Sequence, residues 1–210
     1  MTNTLWLMSA IILWSFLHSV LASLKFKSFV KRKFGILIDR YYRLFYNLFA
    51  AISISPIMGM IMFFPGKQIY KITLPWMVVT LIIQIIAFIV IGLAAKQTSI
   101  MDFLGLKIMG EVEISSQPIL KTNGFYKFVR HPIYTAGLVL MWGVPVMTMN
   151  YLAFALLISS YILIGASFEE RKLLIEFGDA YHNYQQRVPM LIPGLLWNKW
   201  EITASKKKVN

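Results

Sequence analysis

Five long apolar segments constrain the fold of this chain more than any other feature. Each is long enough, or nearly long enough, to cross a bilayer whose hydrocarbon core is about 30 Å thick. They cover Leu5–Leu24, Tyr42–Phe63, Leu74–Ala95, Pro132–Met149 and Tyr151–Phe168. Of the 210 residues, 58% are hydrophobic and only 14% are charged, whereas soluble domains carry about 25% charged residues. The sequence therefore predicts an all-α, polytopic integral membrane bundle with about five transmembrane helices.

We expect a single membrane domain over residues 1–210, built from three parts. Residues 1–95 supply three N-terminal transmembrane helices, residues 96–194 form the half with the candidate site, and residues 195–210 form a flexible basic tail. The last two apolar segments are joined by Asn150 alone, which predicts a tight C-terminal helical hairpin.

Two helices are expected outside the hydrocarbon. Leu24–Phe34 alternates basic and apolar residues, which is typical of an interfacial helix whose lysines reach toward the headgroups. After Phe168, apolar and aromatic residues recur at helical spacing as far as Val188, which predicts an amphipathic tail helix weakened by Gly178. Residues 96–123 are expected to form a loop with a short helix.

The distribution of charge predicts the orientation in the membrane. Of the 21 Lys and Arg residues, all but Lys67 and Lys71 fall on one predicted side, together with all nine acidic residues. By the positive-inside rule that side is cytoplasmic, so the N-terminus is expected outside and the C-terminus in the cytoplasm. We expect the membrane to be a bacterial inner membrane.

The composition also argues against several classes of function. The chain has no cysteine, which excludes disulfides, thiolate metal sites and cysteine nucleophiles. Its net charge of +12 is not gathered on one solvated module, so nucleic acid is not an expected partner. The expected partners are membrane lipids and a small-molecule or lipid ligand, and the sequence says nothing about oligomeric state.

Polar residues gather where the fourth apolar segment begins. Pro132 suits the first position of a helix, so Arg130 and His131 stand at its mouth. There the free backbone N–H groups and the positive end of the helix dipole favour a carboxylate. Tyr126 and Tyr134 flank this point. A helix cap, a topogenic arginine and two interfacial tyrosines explain the same residues without a site.

A second polar cluster follows the fifth apolar segment. Glu169 and Glu170 lie close to the start of the fourth segment if the hairpin is short, and an inward-facing Glu170 suits a cationic ligand or a ribose diol. Tyr181, Tyr184 and Arg187 follow at spacings of three and are expected on one helical face. Arginine can clamp a carboxylate, and tyrosine can shelter a sulfonium. The alternative is a solvated helix start.

His18 lies inside the first apolar segment, about two turns from its cytoplasmic end. It suits a packing histidine bonded to Ser15, Ser19 or a backbone carbonyl. It also suits contact with a substrate, or axial ligation of haem. The residue alone does not decide among these interpretations.

Residues 121–194 resemble the catalytic half of the isoprenylcysteine carboxyl methyltransferase superfamily, which includes the phospholipid methyltransferases. The N-terminal half, with His18-Ser19 and the run Tyr42–Asn47, is similar to the bacterial NnrU-like proteins and methanethiol S-methyltransferases. The motifs of the C-terminal resemblance are Gly124-Phe125-Tyr126, Arg130-His131-Pro132-Ile133-Tyr134, Gly137, Glu169-Glu170, Phe177-Gly178, Tyr181, Tyr184, Arg187-Val188-Pro189 and Pro193.

The resemblance implies an integral membrane methyltransferase that uses S-adenosylmethionine in a pocket facing the cytoplasm. It implies catalytic roles for Glu170 and Arg187. The residues expected to bind the cofactor are Tyr126, Arg130, His131, Pro132, Tyr134, Glu169, Glu170 and Tyr181. The residues expected to contact the substrate are His18, Tyr46 and Asn47.

Methyl transfer from a sulfonium is an in-line displacement that needs alignment and desolvation, so no metal is expected. A thiol, a prenylcysteine carboxylate and a phospholipid amine would all fit an opening toward the bilayer, and the fold does not choose among them. The alternative function is a non-catalytic membrane factor that keeps the fold and assists assembly or transport.

Overall fold

The computed structural model describes residues 2–98 and 119–195, with the side chains of residues 2 and 36–40 left out. In these residues the chain forms α1 (Thr2–Ala22), α2 (Leu24–Phe34), α3 (Ile36–Phe63), β1 (Gln68–Lys71), α4 (Trp76–Gln97), a 3-10 turn (Gly124–Lys127), α5 (Pro132–Trp142), β2 (Val146–Thr148), α6 (Met149–Phe177) and α7 (Asp179–Arg187). The prediction of an all-α polytopic membrane protein is confirmed.

Four of the described helices, α1, α3, α4 and α6, are long and apolar enough to span a membrane. Their outward faces expose large apolar side chains such as Phe88, as helices surrounded by lipid do. Leu7, Ile11 and Ile57 form a buried core where α1 packs on α3 and α6. The expected helix Leu24–Phe34 is present as α2 with the predicted bounds.

The C-terminal hairpin differs from the prediction in its connection and in the lengths of its arms. The first arm, α5, ends at Trp142 after 11 residues and does not continue to Met149. The chain then forms β2, which pairs antiparallel with β1 in the register Gln68↔Thr148 and Lys71↔Val146. The apolar run through Val146 and Met147 therefore belongs to a strand pair. Apolar composition alone does not distinguish a strand from a short helix.

Asn150 is a buried anchor and not a turn residue. Its side chain is 2% exposed, its Oδ1 accepts from Thr4 Oγ1 at 2.6 Å, and its Nδ2 donates to the Phe64 carbonyl. Its backbone N–H donates to the Pro65 carbonyl at 3.2 Å. One amide therefore joins the start of α1, the end of α3 and the start of α6.

Replacing Asn150 with alanine is expected to lower the free energy of unfolding by about 1–3 kcal/mol, because the Phe64 carbonyl and the Thr4 hydroxyl lose buried partners. Thermal unfolding in detergent measures this change, and exposed Asn3→Ala is the control. Equal melting temperatures for the two variants would contradict the anchoring role.

The second arm continues past Phe168 without a break, so Glu169 and Glu170 lie within α6. The helix ends at Gly178, whose φ of +55° is in the left-handed region that favours glycine. The chain then turns into the short helix α7. The single tail helix expected through Val188 is therefore divided at Gly178. Residues 99–118 and 196–210, with most of the expected connection and the basic tail, lie outside the described residues.

Candidate active site

The candidate site forms where the start of α5 meets the segment that follows α7. Pro132 occupies the first turn of α5, as the sequence predicted. The backbone N–H of Arg130 donates to the Pro189 carbonyl at 2.9 Å, and that of His131 donates to the Met190 carbonyl at 3.1 Å. These two bonds join the two polar clusters of the sequence.

The carboxylate of Glu170 is the centre of the site and is held by four side chains. Its Oε1 accepts from His131 Nε2 at 2.7 Å and from Tyr181 Oη at 2.6 Å. Its Oε2 accepts from Gln185 Nε2 at 2.6 Å. Arg130 bridges both oxygens, with Nε 3.0 Å from Oε1 and Nη2 2.7 Å from Oε2. A buried carboxylate is stable only when it is paired and hydrogen-bonded in this way.

Both oxygens of Glu170 are therefore committed to the protein. This differs from the expectation that Glu170 faces a cationic ligand or a ribose diol. The physical reason is the bidentate guanidinium of Arg130, which fits a carboxylate better than a ligand hydroxyl does. Glu170 fixes the positions of the residues around it.

Arg130 also closes the C-terminal end of α7. Its Nη1 donates to the Gln185 carbonyl at 3.0 Å and to the Val188 carbonyl at 2.7 Å. Carbonyls in the last turn of a helix have no partner inside the helix, and a cation there is favourable. One guanidinium thus ties α5, α6 and α7 together.

Tyr181 and Tyr184 are buried between α7 and the end of α6, near Leu173 and Phe177. Tyr184 Oη donates to the Tyr126 carbonyl at 2.5 Å. Burial, together with the neighbouring carboxylate, raises the pKa of Tyr181 far above its ordinary value. Tyr181 therefore remains a protonated donor to the carboxylate at any physiological pH.

Glu169 is the exposed carboxylate of the site. Its side chain is 44% exposed, whereas that of Glu170 is 10% exposed. Its Oε2 accepts from Tyr134 Oη at 2.9 Å and lies 3.7 Å from His131 Nδ1. The Tyr134 ring stacks on the His131 imidazole with centroids 5.4 Å apart. A carboxylate beside an aromatic ring is suited to a cation.

The end of α4 lies on the other side of Tyr126. The Tyr126 hydroxyl lies near the Thr98 side chain and is close enough to Glu169 for electrostatic interaction. Burial raises the pKa of Tyr126. The neighbouring Gln97 has a buried Oε1 that makes no hydrogen bond within the described part of the chain. Gly124, at φ +59°, lies so close that an added Cβ would be 2.0 Å from Gln97 Nε2.

Replacing Gly124 with alanine is expected to displace Gln97 or the turn that carries Tyr126. Its positive φ alone disfavours a side chain by about 1–2 kcal/mol, so both the melting temperature and ligand binding should fall. Gly165→Ala is the control, since Gly165 has open space around it. Unchanged stability of Gly124→Ala would show that this close approach has no consequence.

Arg187 is the predicted catalytic residue that lies away from this cluster. Its side chain is exposed, and its Nε donates to the Asn183 carbonyl at 3.2 Å. The expectation that it shares a face with Tyr181 and Tyr184 is wrong. A separation of six residues from Tyr181 corresponds to about 1.7 turns, which places the two on different sides of the helix. The buried arginine of the site is Arg130.

The predicted substrate residues lie in the transmembrane part of the bundle. His18 Nε2 and Tyr46 Oη are 2.5 Å apart, and Asn47 is half-buried next to Tyr46 on α3. Trp14 and Tyr161 complete an aromatic cluster around His18.

Sequence reasoning missed four residues of these clusters, Gln185, Trp14, Gln97 and Tyr161, the last because it lies within a long apolar segment. Gln185 lies one helical turn after Tyr181, so the i, i+4 rule could have found it. Trp14 lies one turn before His18, so the same i, i+4 rule could have found it. Gln97 had no signal, because its importance comes from the Gly124 turn folded against it. In residues 2–98 and 119–195, no group of three or more His, Asp or Glu side chains is arranged to hold a metal ion.

Known proteins are similar to this chain in sequence. Residues 86–179 match the family model described as phospholipid methyltransferase. Methanethiol S-methyltransferase 1 of Bradyrhizobium diazoefficiens is 33% identical over 184 residues, which is 84% of this chain and 62% of the relative. A methanethiol S-methyltransferase of a Pseudomonas strain is 48% identical over 80 residues, 38% of this chain and 31% of the relative. No solved structure matches.

The isoprenylcysteine branch is also represented. Protein-S-isoprenylcysteine O-methyltransferase B of Arabidopsis thaliana is 29% identical over 153 residues, 70% of this chain and 73% of the relative. The chain spans about three fifths of the length of the Bradyrhizobium relative. The resemblance predicted from the motifs is confirmed. Residues 86–179 thus match the phospholipid methyltransferase family model, and most of the chain is similar to methanethiol and isoprenylcysteine methyltransferases.

Proposed function

We propose that this protein is an S-adenosylmethionine-dependent membrane methyltransferase that acts at the cytoplasmic membrane face on a small or lipophilic acceptor. The observation that carries the proposal is the exposed carboxylate of Glu169 beside Tyr134 and His131. The Glu170 network holds His131 in place, and His131 lies against both Tyr134 and Glu169. A sulfonium is a cation, and a fixed carboxylate with an aromatic face is complementary to it.

The residues around Glu169 fit the rest of the cofactor as well. Gln97 offers a buried acceptor that has no partner among residues 2–98 and 119–195, which suits an amino or hydroxyl donor of the nucleoside. Tyr126 and Tyr134 supply aromatic side chains whose hydroxyls lie near Glu169. When bound, the cofactor supplies an activated methyl group. Arg130, His131, Pro132 and Tyr181 support the pocket through the Glu170 network, and Glu170 acts as a positioning residue.

The work of the protein in such a reaction is alignment and exclusion of water. The Glu170 network fixes His131 beside Tyr134 and Glu169, and a rigid pocket of this kind keeps the sulfonium and the acceptor in line. The apolar faces of α1, α3 and α6 exclude water from the acceptor side, which strengthens electrostatic interactions there. None of these steps requires a metal.

The acceptor that we favour is a small thiol. Two of the relatives described above are named for methanethiol, and His18, Tyr46 and Asn47 lie in the transmembrane bundle, where a small apolar molecule can arrive through lipid. The cofactor enters from the opposite direction, at the polar end formed by α5, α6 and α7. The charge distribution supports a cytoplasmic location for that end, and the similarity to proteins from Bradyrhizobium and Pseudomonas supports a bacterial inner membrane.

A variant of Arg187 tests whether this residue is catalytic, as the sequence motif implies, or lies outside the site, as its exposure indicates. If Arg187 binds a ligand carboxylate, Arg187→Gln weakens cofactor binding while the protein remains folded. If Arg187 is exposed and bonds only Asn183, the variant should bind the cofactor with unchanged affinity. Titration of S-adenosylhomocysteine into the two proteins distinguishes these results.

The test of the proposal is transfer of labelled methyl from S-adenosylmethionine by the purified protein to a panel of acceptors. The panel contains alkanethiols, a prenylcysteine and phospholipid amines. We expect methylation of the thiols, and thermal stabilisation by S-adenosylhomocysteine. Stabilisation without transfer to any acceptor would favour the non-catalytic factor, and absence of both would contradict the proposal.

A further inference from the structure

A second cluster of side chains lies inside the transmembrane bundle, separate from the Glu170 network. His18 of α1 stands between Tyr46 of α3 and Tyr161 of α6. The ring of Trp14 stacks on the imidazole with centroids 4.7 Å apart, and the ring of Tyr161 meets it edge-on at 6.0 Å. The 2.5 Å bond between His18 Nε2 and Tyr46 Oη fixes the orientation of the imidazole.

The other nitrogen of this imidazole is unsatisfied. Nδ1 of His18 is buried and forms no hydrogen bond among residues 2–98 and 119–195. A buried polar atom without a partner costs about 1–3 kcal/mol, so its presence among apolar helices calls for an explanation. When Nε2–H donates to Tyr46, Nδ1 carries the free lone pair of a neutral imidazole, which is a base.

The cluster lies near the cofactor end of the site. Tyr161 precedes Glu169 by eight residues on α6, which is about 12 Å along the helix axis. The hydroxyls of Tyr46 and Tyr161 are close enough to that of Tyr134 for electrostatic interaction, and Tyr134 donates to Glu169. An acceptor that entered between His18 and Tyr134 would have an imidazole on one side and the methyl donor on the other.

We propose that His18, supported by Tyr46, is the general base that removes the proton of a thiol acceptor. This inference rests on the proposed function and specifies its acceptor as a small thiol that arrives protonated from the membrane. The S–H proton moves to Nδ1, and the thiolate sulfur forms a bond to the methyl carbon. The bond from that carbon to the donor sulfonium breaks, so both products are neutral thioethers. Tyr46 stabilises the imidazolium until its proton passes to water.

The test compares an alkanethiol with an aryl thiol, which ionises at lower pH and needs less help from a base. With His18→Gln we expect the rate for the alkanethiol to fall by about 10²-fold or more, and the rate for the aryl thiol to change little. Raising the pH should restore alkanethiol methylation in the variant, because the thiolate then forms in solution. Tyr46→Phe should show the same selectivity to a smaller extent.

The control is His182→Gln, which removes an exposed imidazole of α7 that is bonded to Gln186. It should leave the rates for both thiols and their pH dependence unchanged. Equal losses for both thiols in His18→Gln and Tyr46→Phe would show a packing role and overturn the inference alone, as would unchanged rates. A wild-type protein that methylates another acceptor of the panel but neither thiol would overturn the inference alone. A wild-type protein that methylates no acceptor and is not stabilised by S-adenosylhomocysteine would contradict the proposed function and the inference together.

Discussion

Replacing Glu170 with alanine should lower the free energy of unfolding by about 3–5 kcal/mol and abolish binding of S-adenosylhomocysteine. The stability effect arises because Arg130 remains buried without its carboxylate partner. The binding effect arises because His131 and Tyr181 lose the acceptor that orients them. Thermal unfolding in detergent and calorimetric titration measure the two effects.

A matched control and a double variant separate these effects. Glu176→Ala removes an exposed carboxylate from the same helix and should change neither quantity. A double variant in which both Arg130 and Glu170 are replaced by methionine has no unpaired charge. Part of the stability lost in Glu170→Ala should therefore return, whereas ligand binding should not. Full binding by Glu170→Ala would contradict the account of the network.

Replacing Arg130 with lysine should reduce kcat/KM by about 10²-fold even though the charge is kept. One ammonium cannot bridge both Glu170 oxygens and also reach the carbonyls of Gln185 and Val188. The carboxylates then shift relative to the acceptor, and a misplacement of about 1 Å costs roughly that factor. Steady-state rates of labelled methyl transfer measure the loss.

Arg171→Lys is the matched control for this variant. Arg171 is exposed and lies over the Phe168 ring, so its replacement by lysine should leave kcat/KM near the wild-type value. If Arg130→Lys and Arg171→Lys have the same activity, a point charge suffices at residue 130 and the forked geometry is not required.

The helices and the polar ends of the bundle could be predicted because hydrocarbon permits few alternatives. A segment such as that around Ile86 must be helical, since unsatisfied backbone groups are costly in lipid. The meeting of His131 with Glu170 was also predictable, because two antiparallel helices bring the start of one near the end of the other. Gly178 was expected to weaken one tail helix because of its low helix propensity, and in the structure it divides that helix into the end of α6 and α7.

The remaining features depend on distant contacts that leave little trace in one sequence. The strand pairing of β1 with β2 joins segments almost 80 residues apart, and the short apolar run around Met147 does not announce it. The commitment of Glu170 to Arg130 depends on the path of the chain after α7, which brings Val188 next to the guanidinium. Arg187 is exposed because it lies on a different side of α7 from Tyr181. The successive spacings of three residues from Tyr181 to Arg187 wrongly suggested one shared face.

The most direct test of the central claim is the ratio of affinities for S-adenosylmethionine and S-adenosylhomocysteine in the wild-type protein and in Glu169→Gln. The two ligands differ by the methyl group and the positive charge of the sulfonium. If Glu169 faces that charge, Glu169→Gln should reduce the preference for the charged ligand by about tenfold or more, equivalent to about 1.4 kcal/mol, with little change in the affinity for the neutral one. An unchanged ratio in a folded Glu169→Gln protein would contradict the account.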